Sequence, residues 1–188
     1  MVDKFRLVFT GSGGQGVITA AIILAETAVL QEHLNAVQTQ IYGAAARGGA
    51  TRSDVIVSES EIFYPKVNQA NVLVCLTQEA YVKFAHIIRP GGILLTDPRY
   101  VHIERTVDAM HVELPMYQSV IEQIGKAIVF NICMLGAVTA LTQIVRPESL
   151  TKMLEKRIQP AFLDMNRKAF ELGLELGTAA RDRQFSRQ

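Results

Sequence analysis

Hydrophobic and polar positions change period several times along this chain. Phe5, Leu7, Val8 and Phe9 form a short apolar run that stops at Gly11-Ser12-Gly13-Gly14-Gln15-Gly16. Val17 to Leu30 follow, apolar nearly all round and rich in alanine. The pattern predicts a strand, a tight glycine turn and a buried helix, with His33 to Asn35 closing the helix because Asn tolerates the left-handed cap geometry. Ala36 to Ile41 read as a second strand. Tyr42 to Thr51 hold three glycines and four alanines around Arg47, a loop with little side-chain bulk. Ser53 to Ser58 alternate as a strand does, and Glu61 to Tyr64, ended by Pro65, read as its return strand across the short turn at Glu59-Ser60. Strands joined by so short a turn are antiparallel.

Val72 to Leu76 make a continuous apolar run of the kind covered on both faces of a sheet. Gln78 to Ile88 suit a helix stopped by Pro90-Gly91-Gly92. Ile93 to Leu95 are the next strand, ended by Asp97-Pro98, and His111 to Leu114 another. From Tyr117 the period turns helical: Tyr117 to Gln123, Phe130 to Ile144, and a pair of helices from Pro147 to Leu176. Pro147 suits a first-turn position, and Glu148 favours the same helix end. Strands alternating with helices, followed by a helical tail, give an α/β fold. The expectation is a single Rossmann-like domain over residues 1–177, with a mostly parallel mixed sheet, helices on both faces and C-terminal helices. Residues 178–188 are polar, without apolar periodicity, and read as a disordered tail.

Composition narrows the function. The 188 residues suffice for one domain with a proper core. The 49% hydrophobic and 20% charged shares leave apolar surface over, a hint of a partner interface. A net charge of +1 lacks the basic excess of nucleic-acid binders. Arg181, Arg183 and Arg187 cluster in the tail, where a solvated end is the simpler reading. Cys75 and Cys133 form no CxxC pair and supply no cluster or zinc ligand set. With no signal peptide and no run long enough for a transmembrane helix, a cytoplasmic protein is expected.

Gly11-x-Gly13-x-x-Gly16 has dinucleotide-binding spacing, with a strand before it and a helix after it. The first glycine allows the turn, the second admits a ligand to the backbone, and the third lets helix pack on strand. N–H groups at the helix start then favour phosphate or carboxylate. NAD enzymes also carry an acid at the end of the second strand, and Ala36 to Ile41 hold none. Glu32 comes before the strand, as a solvated helix-end residue. Three readings stay open for the loop: free NAD, packing only, or an anion or cofactor fragment shared with a partner. No Gly-Lys-Ser/Thr follows, so it is not a Walker loop.

Arg47 among small residues is placed to reach a phosphate or a partner carboxylate. His33, His86, His102 and His111 share no ligand spacing. Asp97 before Pro98 reads as a turn former, although α/β ligands also sit at strand ends. Cys75, Cys133 and Met134 read as core, and Tyr64, Tyr81, Tyr100 and Tyr117 as packing.

Taken in order, Gly11 to Gly16 with Val17-Ile18-Thr19-Ala20-Ala21, Tyr42-Gly43, Arg47-Gly48-Gly49, Ser53-Asp54-Val55, Asn131 to Gly136, and Asn166 with Ala169-Phe170 and Gly173 resemble the gamma subunits of 2-oxoacid:ferredoxin oxidoreductases. This is the pyruvate/ketoisovalerate oxidoreductase gamma family. Arg47 to Asp54 look closer to the 2-oxoglutarate and branched-chain types than to the pyruvate type, and the indolepyruvate branch shares the Arg-Gly-Gly.

The resemblance implies an oxidoreductase subunit, inactive alone, in a complex that decarboxylates a 2-oxoacid with CoA to acyl-CoA, CO2 and reduced ferredoxin. It implies no tightly bound cofactor on this chain. Thiamine diphosphate, Mg2+ and iron–sulfur clusters would sit on alpha and beta subunits, with a delta subunit as an optional fourth, and ferredoxin would be the electron partner. The loops expected to face the CoA phosphates or a partner are Gly11, Ser12, Gly13, Gly14, Gln15 and Gly16, supported by Arg47, Gly48 and Gly49. No catalytic residue and no metal ligand are assigned to this chain. The competing readings are a free-standing NAD(P)-dependent dehydrogenase and a purely structural assembly subunit. A homodimer is an option for the isolated chain.

Overall fold

The computed structural model describes residues 4–41, 50–104 and 107–185. Its elements, in chain order, are strand β1 (Phe5–Gly11), helix α1 (Val17–Leu30), β2 (Asn35–Ile41), β3 (Thr51–Ser58), β4 (Ala70–Cys75) and α2 (Gln78–Phe84). Then come β5 (Ile88–Thr96), β6 (Ala109–Glu113), α3 (Met116–Gln123), α4 (Phe130–Thr142), α5 (Pro147–Arg157) and α6 (Pro160–Phe185). The six strands form one sheet in the order β2-β3-β1-β4-β5-β6. Strands β1, β4, β5 and β6 pair in parallel, while β3 runs antiparallel between β1 and β2. The fold is therefore α/β with a mixed sheet, as the sequence pattern predicts.

Alternation along each strand divides the core in two. Leu7, Phe9, Val55, Val57, Val72, Val74 and Leu95 face one side, where α1, α3, α4, α5 and α6 cover them. Val8, Ile56, Leu73, Cys75 and Leu94 face the other, under Tyr81 of α2, Ile87, Val67 and Val101. Helix α4 is apolar all round because it is central: every residue from Phe130 to Leu141 is buried. It meets α6 backbone to backbone. A Cβ on Gly173 would collide with the Cys133 carbonyl, one on Gly136 with the Phe170 carbonyl, and one on Gly177 would come within 2.7 Å of the Ala137 carbonyl oxygen.

Several expectations change. The residue in left-handed geometry after α1 is His33, at φ 57°, while Asn35 already belongs to β2. Glu61 to Tyr64 form no strand. The antiparallel partners of β3 are β1 and β2, so neither of its edges is free for a return strand. Helix α2 ends at Phe84, a 3-10 turn spans Ala85–Ile87, and Ile88 starts β5. Pro90-Gly91-Gly92 lies inside β5 instead of stopping a helix, at a register shift where the Gly91 N–H bonds to the Asp108 carbonyl at 2.9 Å. The tail is not disordered from residue 178: α6 continues to Phe185. Ala180 is buried, and Arg181 donates to the Ala140 carbonyl at 3.0 Å, near the end of α4.

Glu32 is not merely solvated. It accepts from the backbone N–H of Arg146 at 2.9 Å and from its guanidinium at 3.0 Å, tying the end of α1 to the start of α5. Burial pushes its carboxyl up, but hydrogen bonds from Ser149 and from the Arg146 backbone and guanidinium outweigh that and hold it below its ordinary value.

Gly173→Ala should force α4 and α6 apart. We expect a loss of about 3 kcal/mol in denaturant unfolding, the upper range for an overpacked core, with the m-value unchanged. For Glu32 the sign follows from its depressed folded value. Its contribution is fully present above the ordinary carboxyl range and fades as pH falls through the folded value. Glu32→Gln should therefore lower the melting temperature at pH 7, and the gap to the parent should close in thermal scans at acid pH.

Candidate functional site

Strand β1 ends at Gly11, beside Leu76 at the end of β4, and α1 starts at Val17. Between them the glycine loop is held from within. The Gln15 side chain turns inward, its Oε1 accepting the Ser12 N–H at 2.7 Å while its Nε2 donates to the Leu76 carbonyl at 3.0 Å. A Cβ on Gly11 would fall 2.5 Å from that same Oε1. Gly16 precedes α1 with φ 71°, and a Cβ there would meet Asn131 of α4 at 2.6 Å. The Asn131 amide in turn donates to the Gly16 carbonyl at 3.4 Å.

Gly11 and Gly16 thus have packing reasons, and Gly14 has a conformational one, a φ of 93°. Gly13 has neither. Its φ is not positive, and a Cβ there would find nothing within 4 Å. Bare backbone at Gly13 serves nothing inside the described chain. Both Gly13 and Gly14 are exposed, and they open on a cleft of about 410 Å³ with Ser12, Gly16, Val17, Ile18, Thr19 and Thr51. The first turn of α1 has no side-chain cap and no acidic residue. Its N–H groups lack intrahelical acceptors and carry the positive end of the helix dipole.

Arg47, Gly48 and Gly49, with Tyr42-Gly43, lie outside the described residues. The strands flanking that segment are placed. Ile41 pairs with Arg52, and Thr51 with Gly11, so both ends of the segment reach the end of the sheet that carries the glycine loop.

Other sequence candidates fall elsewhere. Asp97 is fully buried and serves a turn and a helix start: Oδ1 accepts from the Arg99 N–H at 2.9 Å and Oδ2 from the Tyr117 N–H in the first turn of α3 at 2.7 Å. Burial pushes its carboxyl above the ordinary range, against those hydrogen bonds and the nearby Arg99. Cys75 and Cys133 are buried on β4 and α4, and burial pushes both thiols up to about 12. Neither is a nucleophile at neutral pH. Tyr100, Tyr117 and Phe130 pack with centroids 5.4–6.0 Å apart, Tyr117 edge to face with both others and Tyr100 tilted against Phe130, and Arg99 lies over Tyr117 at 4.6 Å. His111 sits on β6 and His86 in the 3-10 turn. Among the described residues no group of three or more His, Cys, Asp or Glu could hold a metal ion, and no helix is long and apolar enough to cross a membrane.

Sequence reading missed the Arg52–Asp54 pair, buried and bidentate at 2.6 and 2.7 Å, with Arg52 also donating to the Val67 carbonyl. Opposite charges two apart on one strand share a face, and that spacing was the available signal.

The family model for pyruvate ferredoxin/flavodoxin oxidoreductase matches residues 6–176. The chain belongs to this family. A 2-oxoglutarate synthase subunit KorC from Methanocaldococcus jannaschii is 41% identical over 178 residues, covering 94% of each chain. The crystal structure of a keto/oxoacid ferredoxin oxidoreductase gamma subunit from Geobacter sulfurreducens superposes with a TM-score of 0.87 at 37% identity, covering 95% of this chain and 99% of that one. The same fold occupies 32% of a 2-oxoglutarate:ferredoxin oxidoreductase chain from Magnetococcus marinus, solved with 2-oxoglutarate, coenzyme A and succinyl-CoA bound (TM-score 0.83, 22% identity, 95% of this chain).

The family stretches acquire physical reasons here. Asn131 to Gly136 hold the residue that packs on Gly16 and one of the glycines of the α4–α6 contact, and Gly173 is its counterpart. Gly16→Ala should cost about 1–3 kcal/mol, from overpacking against Asn131 and from positive φ. Gly13→Ala should leave stability within about 0.5 kcal/mol, the range of a surface change. Chemical unfolding of the two variants beside the parent chain checks the contrast.

Proposed function

We propose that this chain is the gamma-type subunit of a 2-oxoglutarate:ferredoxin oxidoreductase and that its glycine loop holds a phosphate of CoA. The observation that carries the reading is Gly13, a bare backbone position with no structural cause among the described residues, at the mouth of an uncapped helix start. Identity to the 2-oxoglutarate synthase subunits favours 2-oxoglutarate over pyruvate or ketoisovalerate as the oxoacid. The N–H groups of the loop and of the first turn of α1 bind and orient an anionic end of the acyl acceptor. Gln15 and Asn131 keep the loop from adapting, so it offers a fixed geometry. Arg47, with Gly48 and Gly49, adds the cation the cleft otherwise lacks.

The residues present do not suit the family's other groups. Two thiols on different elements, each with a pKa of about 12, cannot ligate a cluster. Thiamine diphosphate with Mg2+ and the iron–sulfur clusters belong on alpha, beta and further subunits, where they supply decarboxylation and electron transfer to ferredoxin.

The NAD(P) dehydrogenase reading loses ground on topology. In a dinucleotide fold the strand after the first helix lies beside the first strand and ends in the ribose-binding acid. Here antiparallel β3 separates β2 from β1, and β2 ends in Thr39-Gln40-Ile41.

The complex, pulled down anaerobically through this chain, should reduce viologen with 2-oxoglutarate and CoA, and more slowly with pyruvate or ketoisovalerate. In that complex Gly13→Ala and Arg47→Ala should each raise the KM for CoA about tenfold, which is ~1.4 kcal/mol of binding, with assembly intact. A chain eluting alone with bound nucleotide, or variants with unchanged KM, would overturn the proposal.

A further inference from the structure

Strand β5 ends at Thr96, and Asp97 begins the turn that follows. The Asp97 carboxylate ties two segments together. Its Oδ1 accepts the Arg99 N–H and its Oδ2 accepts the Tyr117 N–H, so the turn and the start of α3 are fixed to one buried group. The Arg99 guanidinium then lies 4.6 Å over the Tyr117 ring and 5.9 Å from the Tyr100 ring, both within cation–π range. Five described arginines pair with a carboxylate, and Arg99 pairs with none of the described residues. Asp97 is close in sequence, but its oxygens already accept the two N–H groups. Outside the described residues the sequence holds one acid, Asp3, two positions before β1, whereas Arg99 follows the carboxyl end of β5. Arg99 is exposed. A guanidinium stacked on an aromatic face keeps its N–H edge for an oxyanion.

This cation stands at the same end of the sheet as the glycine loop. The chain leaves β1 through α1 on one face and β4 through α2 on the other, and a crevice opens at the carboxyl ends where the two part. The glycine loop follows β1, and Arg99 follows β5, the strand beyond β4. Tyr117 and Phe130 pack on the face that α1 covers. Their ring centroids are 5.8 Å apart, and Asn131, the next residue, packs on Gly16. Two consecutive residues of α4 therefore connect the ring under Arg99 to the loop. Strands β1 and β5 lie about 9.6 Å apart, two spacings of ~4.8 Å. A single phosphate does not span that distance, but a ligand with two separated anionic groups does.

We infer that Arg99 binds the 3′-phosphate of the CoA whose diphosphate rests on the glycine loop. CoA carries these groups on the 3′ and 5′ positions of one ribose, so both can be held at once from neighbouring strand ends. The inference rests on the CoA reading above and adds the residue that distinguishes CoA from acceptors without the 3′-phosphate.

The test compares CoA with dephospho-CoA in the intact complex, by KM or, for an acceptor that is not turned over, by its inhibition constant against CoA. Arg99→Gln should raise the KM for CoA about tenfold, the loss of one charge-assisted contact, and leave kcat and the dephospho-CoA value unchanged. Arg99→Lys, which keeps the charge, should fall between the parent and Arg99→Gln. Gly13→Ala and Arg47→Ala should raise the values for both acceptors by the same factor. Arg89→Gln, an exposed arginine at the start of β5, should change neither. An Arg99→Gln complex with an unchanged KM for CoA, with both acceptors weakened equally, or with lost assembly would overturn the inference. Unchanged values for Gly13→Ala beside a selective effect of Arg99→Gln would instead overturn the loop reading and leave the Arg99 contact standing.

Discussion

The contact between α4 and α6 sets where everything else can stand. Gly136, Gly173 and Gly177 let two backbones touch where any side chain would collide. That closeness fixes α4 in the middle of the helical layer, buried from Phe130 to Leu141. With α4 fixed, Asn131 arrives against Gly16 and leaves no room for a Cβ there. Gly16 can then take its left-handed geometry and start α1 without a side-chain cap. The glycine loop is held from the helical layer by Asn131 and from the strand ends by Gln15. The path from helix packing to the glycine loop runs through two glycines and one amide, each acting by shape more than by charge.

Much of this was legible in the sequence, and the parts that were not have physical causes. α1 falls where the pattern places it, at Val17 to Leu30, because a glycine turn fixes its start. The strands read correctly wherever both faces are buried, as Leu7 to Phe9 and Val72 to Val74 are. The failures lie where local pattern meets a tertiary limit. Glu61 to Tyr64 has strand composition, but β3 already has a neighbour on each side. Residues after Thr178 look polar, yet Ala180 and Arg181 rest on the end of α4 and prolong α6. Composition alone cannot report a docking surface that another helix supplies.

The glycine loop has the dinucleotide-binding spacing in a sheet whose strand order differs from the dinucleotide fold. Gly-x-Gly-x-x-Gly serves a strand, turn and helix whatever strand comes next. Here the inserted antiparallel β3 moves β2 away from β1, so no residue on β2 stands where a ribose would be read. The missing acid in Ala36 to Ile41 was the visible trace of that rearrangement. Gln15 belongs to the loop expected to offer its backbone to an anion, and its side chain faces inward. Its position between two glycines gave no sign of direction. Only the carbonyl of Leu76, brought near by the β1–β4 pairing, explains why a long amide is needed there.

The same sheet order sets the glycine loop apart from the β2 edge. The glycine loop opens at the carboxyl ends of β1 and β4, in the middle of the sheet, where helix start and strand ends converge. The uncharged edge of β2 lies two strands away, with β3 between. β3 registers with β1 over seven pairs and with β2 over seven pairs, so the edge and the loop share one rigid ladder. The ladder therefore fixes how the loop stands relative to β2. Held from the strand ends by Gln15 and from the helical layer by Asn131, the loop keeps one fixed backbone geometry at that end of the sheet.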